Sequence, residues 1–223
     1  MSHRIDTDDD LRAAIALLLA VDARFRPLLA VTGLPPLRRR PGGFAGLASI
    51  VVSQQLSTAS AAAIWGRLTA AYDPLVAGSL LRARAPRLAK LGLSAPKIRT
   101  LRAIAAAIDS GKLDLAALAE IPADDAHAAL TAVHGIGPWT ADIYLLTCLG
   151  HADAWPAGDL ALQEAARLAF ALDARPAAKA MVALAEPWRP WRGVAARVLW
   201  TYYRAVKRRD GAPIIPANPN PTA

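Results

Sequence analysis

Between Val133 and Ala141 the sequence VHGIGPWTA sets two glycines one residue apart, with an apolar stretch of helical period on either side. Such a step lets the chain reverse tightly with no side chain in the way, so two helices must meet at a short corner. Amide groups at the start of the second helix suit a phosphate oxygen by geometry and dipole. An ordinary helix–turn–helix corner has the same local sequence, because Gly-x-Gly is common. Asp159 follows Trp139 by twenty residues, at the end of the loop Trp155-Pro156-Ala157-Gly158. It is a good N-cap for the run LALQEAARLAF and also a candidate reacting carboxylate. The two roles are compatible, since a helix N-terminus favours a negative charge.

The rest of the chain reads as helices separated by breakers. Thr7 and Asp10 resemble a capping box ahead of Leu11 to Val21. Gly33 to Gly43 holds three prolines and three glycines and is irregular. Phe44 to Leu56 reads as a buried helix, and Ser57 as the cap of a second reaching Tyr72. Asp73-Pro74 starts a short helix through Arg82. Gly92 ends one helix and Ser94 caps the next, with Pro96 in its first turn. Leu113 to Leu130 gives two short helices split at Ile121-Pro122, and Trp139 to Leu149 leaves the Gly-x-Gly turn. Asp159 opens a helix to Leu172, and helices follow over Pro176 to Glu186 and Trp191 to Arg209. No alternating pattern is sustained long enough for a sheet, so the fold class is all-α.

Composition narrows the function classes. Hydrophobic residues make up 54% of 223 residues, and the formal charge of +8 favours a polyanionic partner, though generic surface charge gives the same sum. A lone cysteine, Cys148, leaves no disulfide within the chain and no multi-cysteine metal cluster. The acidic start MSHRIDTDDD is no secretory signal, and charged residues interrupt every apolar run before bilayer-spanning length. The expectation is a soluble, cytoplasmic protein with no membrane partner, nucleoid-associated where the polyanion is DNA.

Taken together, several segments resemble the helix–hairpin–helix DNA glycosylase superfamily, and within it the DNA-3-methyladenine glycosylase II group. The hairpin residues are Gly135, Ile136, Gly137, Trp139, Thr140 and Ala141, followed by Pro156, Gly158, Asp159 and Leu160. The runs IVVSQQLS at 50–57, GLSAPK at 92–97 and PWRPWR at 187–192 add to them, so that the likeness covers about residues 44–207. It implies base excision from double-stranded DNA that contains damaged bases. A damaged nucleotide is flipped into a pocket, and Asp159 stabilises the positive charge developing on the sugar as the base departs. Alkylated purines such as 3-methyladenine already carry positive charge and need little general-acid help. Bifunctional members carry a nucleophilic lysine where this chain has Trp139, so a monofunctional hydrolase is expected. The four-cysteine iron–sulfur cluster of some relatives is excluded by the single cysteine.

The resemblance also marks Trp139 and Trp191, with Tyr144 and Trp188, as the base pocket, where an indole face stacks on a cationic purine. The alternative for any tryptophan is core packing, which is the reading taken for Trp65, Trp155 and Trp200. DNA contacts fall to Gly135, Ile136, Gly137, Trp139 and Thr140 at the hairpin, to Lys97, and to the corner Gln54, Gln55, Leu56 and Ser57. That corner supplies a wedge for the gap left by the flipped base, or is a plain helix turn capped by Ser57. The resembled group has an apolar residue where Gln55 stands, so Gln55 and Leu56 both remain wedge candidates. Arg99, Arg189, Arg192, Lys207, Arg208 and Arg209 are further phosphate candidates or merely a solvated face, and His134 is a phosphate contact or idle. The backbone carbonyls of Thr131, Val133 and Ile136 are where relatives hold a structural monovalent cation, and no cofactor is required.

The expected architecture is a two-lobed helical bundle of the glycosylase type, a monomer, with a cleft between the lobes. Residues 1–43 form an N-terminal helix and irregular linker packed on the C-terminal lobe. Residues 44–150 form a helical lobe with the hairpin motif at about 122–149, residues 151–211 the lobe carrying Asp159, and 212–223 a disordered tail. About forty residues before Phe44 leave no room for the extra N-terminal α/β domain of the resembled enzymes. A non-catalytic DNA-binding protein with the same hairpin is the competing reading.

Overall fold

The computed structural model describes residues 3–207, and the tail 212–223 with Arg208 and Arg209 lies outside them. Among the described residues there are twelve α-helices and no strand, with one isolated bridge between Arg4 and His151. The order is α1 (Asp8–Val21), α2 (Phe25–Thr32), α3 (Gly43–Ser53), α4 (Thr58–Ala71), α5 (Ala77–Arg82) and α6 (Ala85–Lys90). After these come α7 (Ala95–Asp109), α8 (Ala123–Thr131), α9 (Pro138–Tyr144), α10 (Leu160–Ala169), α11 (Ala178–Ala185) and α12 (Arg192–Lys207). Among the described residues no helix is long and apolar enough to cross a membrane.

Local signals place most helix starts. Thr7 Oγ1 accepts from the Asp10 amide and Asp10 returns a bond to the Thr7 amide at 2.8 Å, closing the capping box of α1. Ser57 caps α4 through the Ser60 amide. Four elements differ from expectation. The helix assigned to Asp73-Pro74 begins only at Ala77, with Val76 as its extended N-cap. The stretch 113–130 holds a single 3-10 turn, Ala117–Ala119, before α8. α10 stops at Ala169, not Leu172. Ala171 adopts φ +51 and the Leu172 amide bonds the Arg167 carbonyl at 2.9 Å, a left-handed closure without the glycine that usually announces it. α2 has neither a capping side chain nor a long apolar period to reveal it.

Two groups of helices frame the site. α3 is the centre of the first, with nine of its eleven residues buried, and it packs on α4, α7 and α9. Gly46 is required there, because a Cβ would stand 2.3 Å from the Pro41 carbonyl oxygen and 3.2 Å from Cys148 Sγ. In the second group α12 packs on α1, α2 and α10. Phe25, Phe170, Trp155 and the fully buried Trp188 interlock between these elements, with ring centroids 5.0–5.8 Å apart. Arg197 of α12 donates to the carbonyls of Leu37 and Leu146, tying the irregular segment before α3 to the π turn Leu145–Leu149 that ends α9.

Candidate active site

The hairpin between α8 and α9 is a tight corner. The Val133 amide bonds Leu130 and the Ile136 amide bonds Val133, both through carbonyl oxygens near 3.0 Å. Gly135 sits at φ +88, and a Cβ there would lie 2.1 Å from Thr100 Oγ1, so only glycine lets the hairpin seat against α7. Ile136 turns into the core, while nothing stands within 4 Å of a Cβ built on Gly137. Pro138 opens α9 and no side chain caps it. The first-turn amides of Trp139 and Thr140 therefore have no intrahelical acceptor, which is the arrangement that binds an oxyanion.

Asp159 lies where the two helical groups meet. It is 5% exposed and is the N-cap of α10, its Oδ1 accepting from the Leu162 amide at 2.8 Å. Trp139 of α9 donates its indole N–H to Oδ2 at 2.8 Å, and Trp200 of α12 donates to Oδ1 at 3.2 Å. An ionised carboxylate is acceptor-only with roughly four lone-pair sites, so three donors leave about one free acceptor direction, on Oδ2. The loop beneath is fixed in turn. The Asp159 amide bonds the Pro156 carbonyl, and Gln163 Nε2 bonds the Ala157 carbonyl at 2.9 Å.

The structure redistributes the aromatic assignments. Trp139 is half-buried and held edge-on to Asp159 by its N–H. Trp200, assigned to the core from sequence, is the second indole at the carboxylate. Trp191 precedes the first residue of α12 and is half-buried, its ring packed against that of His3 with centroids 4.8 Å apart. Trp188 has no face left for a base, being wholly buried with its N–H on Asp22 Oδ2 at 2.9 Å. Tyr144 is likewise fully buried, its hydroxyl directed at the Gly43 carbonyl between α9 and α3. Nothing in the local sequence around Trp200 could have singled it out.

The corner after α3 is tied to the hairpin. Gln54 Nε2 donates to the buried Thr140 Oγ1 at 2.6 Å. Gln55 is exposed and left-handed at φ +55, whereas Leu56 is half-buried and Ser57 is occupied as a cap. Lys97 does not reach outward as the sequence reading had it. Its ammonium caps α3 through the carbonyls of Val52 and Gln54 at 2.7 and 3.0 Å, and burial lowers its pKa. Gln55, Pro96, Lys97, Arg99, His134 and Gly135 are among the walls of a notch of about 360 Å³ between corner and hairpin. Of the other basic candidates, Arg189 and Arg192 are engaged by Asp124 and Asp153 at 2.7–3.1 Å, and Lys207 lies 3.6 Å from Glu164.

The Arg192 pairs belong to a partly buried polar layer that sequence reasoning missed. Arg192 joins the loop residue Asp153 to Asp124 of α8. Beside it Asp142 of α9, 8% exposed, is pushed up to about 8 by burial, against the opposing pull of Arg192 and a hydrogen bond from the Trp155 amide. His127 Nε2 stands 3.8 Å from Asp142 Oδ1, and burial lowers the His127 pKa. Both shifts favour the neutral forms. A cavity of about 610 Å³ opens between this layer, α11 and Trp139, but Asp159 does not line it.

Comparison with known proteins follows the same residues. The family model described as HhH-GPD superfamily base excision DNA repair protein matches residues 48–190. Over 212 residues the chain is 35% identical to a probable bifunctional transcriptional activator/DNA repair enzyme AlkA of Mycobacterium tuberculosis, covering 88% of this chain and 40% of that one. The chain thus spans less than half the length of that relative. A DNA-3-methyladenine glycosidase of Bacillus halodurans superposes with a TM-score of 0.80 at 28% identity, over 94% of this chain and 95% of that one. A 3-methyladenine DNA glycosylase of Schizosaccharomyces pombe, solved with abasic DNA, gives 0.75 at 25% identity, over 87% and 97%.

Proposed function

Given that the chain belongs to the HhH-GPD superfamily of base excision DNA repair proteins, we propose that it is a monofunctional DNA glycosylase acting on alkylated purines. The observation that carries this reading is Asp159, buried, held by two indoles and an amide, with one acceptor direction free. The relatives named for 3-methyladenine support the substrate class.

Each part has a role. The amides of Trp139 and Thr140 hold a backbone phosphate beside the lesion. Gln55 fills the gap in the duplex, and the flipped nucleotide brings its sugar to Asp159. As the glycosidic bond lengthens, positive charge grows on the sugar, and the fixed carboxylate stabilises it without reorganising. The free Oδ2 direction orients the water that completes hydrolysis. Trp139 has no nucleophilic amine, so no Schiff base forms and the abasic site is left intact. At the hairpin, the carbonyls of Thr131, Val133 and Ile136 would hold a monovalent cation. Such hard oxygen donors suit it, and Val133 keeps a lone pair after accepting the Ile136 amide.

Release of free base from N-methylated DNA tests this. The wild type should release 3-methyladenine and the Asp159→Asn variant should be slower by about 10²–10³-fold. A wild type that binds DNA and releases no base from a panel of alkylated and deaminated purines would establish the non-catalytic reading instead. A covalent adduct trapped with borohydride would refute the monofunctional assignment.

A further inference from the structure

The far end of α4 carries side chains that play no part in the site above. Tyr72 is the C-cap residue of α4, and the Arg87 guanidinium lies over its ring at 5.2 Å from the centroid. Its hydroxyl is buried, and no protein group pairs with it. Together with Ser79, Arg82 and Arg84, these residues line a cavity of about 380 Å³ at the corner of α5 and α6, a volume in the range of small-ligand sites. From behind, Arg102 of α7 donates Nη2 to the Ala83 carbonyl at 2.7 Å and holds the corner in place.

Charge marks the corner out. Arg4, Arg12, Arg24, Arg39, Arg167 and Arg189 each pair with a carboxylate. Arg82, Arg84 and Arg87 converge on one cavity with no acidic residue in its walls. Three like charges held together repel one another unless an anion joins them. Guanidinium forks and a phenolic O–H are the donors that match a phosphate. A buried hydroxyl without a partner is also unfavourable by itself and calls for an acceptor.

We propose that this cavity is a phosphate-binding site separate from the hairpin, in which Arg82, Arg84 and Arg87 neutralise a phosphate ester and the Tyr72 hydroxyl donates to one of its oxygens. α4 starts at the wedge corner and ends here, so the two sites are about 20 Å apart along the helix. A duplex lying along α4 would bring a backbone phosphate to the cavity, and a free nucleotide would bring the same group. The inference does not depend on base excision.

The test compares wild type, an Arg84→Ala/Arg87→Ala double variant and Tyr72→Phe in two measurements. One follows affinity for an undamaged duplex against salt, and the other follows melting temperature with inorganic pyrophosphate or adenosine monophosphate. If the source is the DNA backbone, the double variant loses about one to two from the slope of log affinity against log salt. If the source is a free nucleotide, pyrophosphate or the monophosphate raises the wild-type melting temperature and leaves the double variant unmoved, with equal DNA slopes. Tyr72→Phe should weaken whichever response the wild type shows, yet melt no lower than wild type without phosphate. Equal slopes and equal phosphate responses in wild type and double variant overturn the proposal, as does a Tyr72→Phe protein with the full wild-type response. Wild-type rates of base release at saturating DNA in all three keep this outcome distinct from failure of the glycosylase reading.

Discussion

Replacing Asp142 with asparagine should stabilise the protein at neutral pH and leave it little changed in acid. The carboxyl is 8% exposed beneath α9, and burial holds its titration near 8 in place of the ordinary 3.8. Unfolded chains ionise it above 3.8, whereas the folded protein must keep its proton. Stability is therefore whole below about 4, falls as the pH rises toward 8, and levels off beyond. At about 1.36 kcal/mol per pH unit the ceiling at pH 7 is roughly 4 kcal/mol. Relaxation around Arg192 lowers this to about 1–3 kcal/mol. Asparagine keeps an oxygen for the Trp155 amide and removes the ionisation. For a chain of this size that gain is about 3–10 °C in melting temperature. Thermal melts of both proteins at about pH 4.5, 6, 7 and 8.5 would trace the window. A gain as large in acid as at neutral pH would refute the argument, and a loss at high pH would mean that Asp142 is an ionised partner of Arg192.

Three further substitutions probe the site. Trp200→Phe removes one donor from Asp159 while keeping the ring, and base release should slow by about 10–100-fold with DNA affinity intact, since a hydrogen bond to a charged group contributes roughly 1.5–3 kcal/mol. An unchanged single-turnover rate would remove Trp200 from the site. Gly135→Ala drives a Cβ to 2.1 Å from Thr100 Oγ1 at a left-handed φ, so stability should fall by about 1–3 kcal/mol. DNA affinity should drop with it, and Thr100→Ala in the same chain should restore part of both. Lys97→Met leaves the Val52 and Gln54 carbonyls at the end of α3 without their cap and should destabilise by about 1–3 kcal/mol, with the salt slope of DNA binding unaltered. A slope smaller by about one would instead show Lys97 on a phosphate.

What the sequence by itself determines here is local. A capping box at Thr7 and Asp10, Ser57 and Asp159 as caps, the proline in the first turn of α7, and the tight Gly-x-Gly corner depend on a few neighbouring residues, so they are legible without a fold. The family was legible for the same reason, because its hairpin and loop are short contiguous segments. Where local cues fail, the reading fails as well, as at the left-handed Ala171 that ends α10 or at the uncapped α2. The tertiary structure alone decides which face of each helix meets which partner. Trp191 and Trp200 look alike in sequence, yet Trp191 packs against His3 ahead of α12, and Trp200, within the helix, reaches Asp159. Trp188 and Tyr144 go to the core, and Lys97 turns back onto α3. Asp142 is buried beside Arg192 because α9, the loop and α12 converge there. Side-chain roles of this kind follow from the packing of residues far apart in the chain, which no short window of sequence contains.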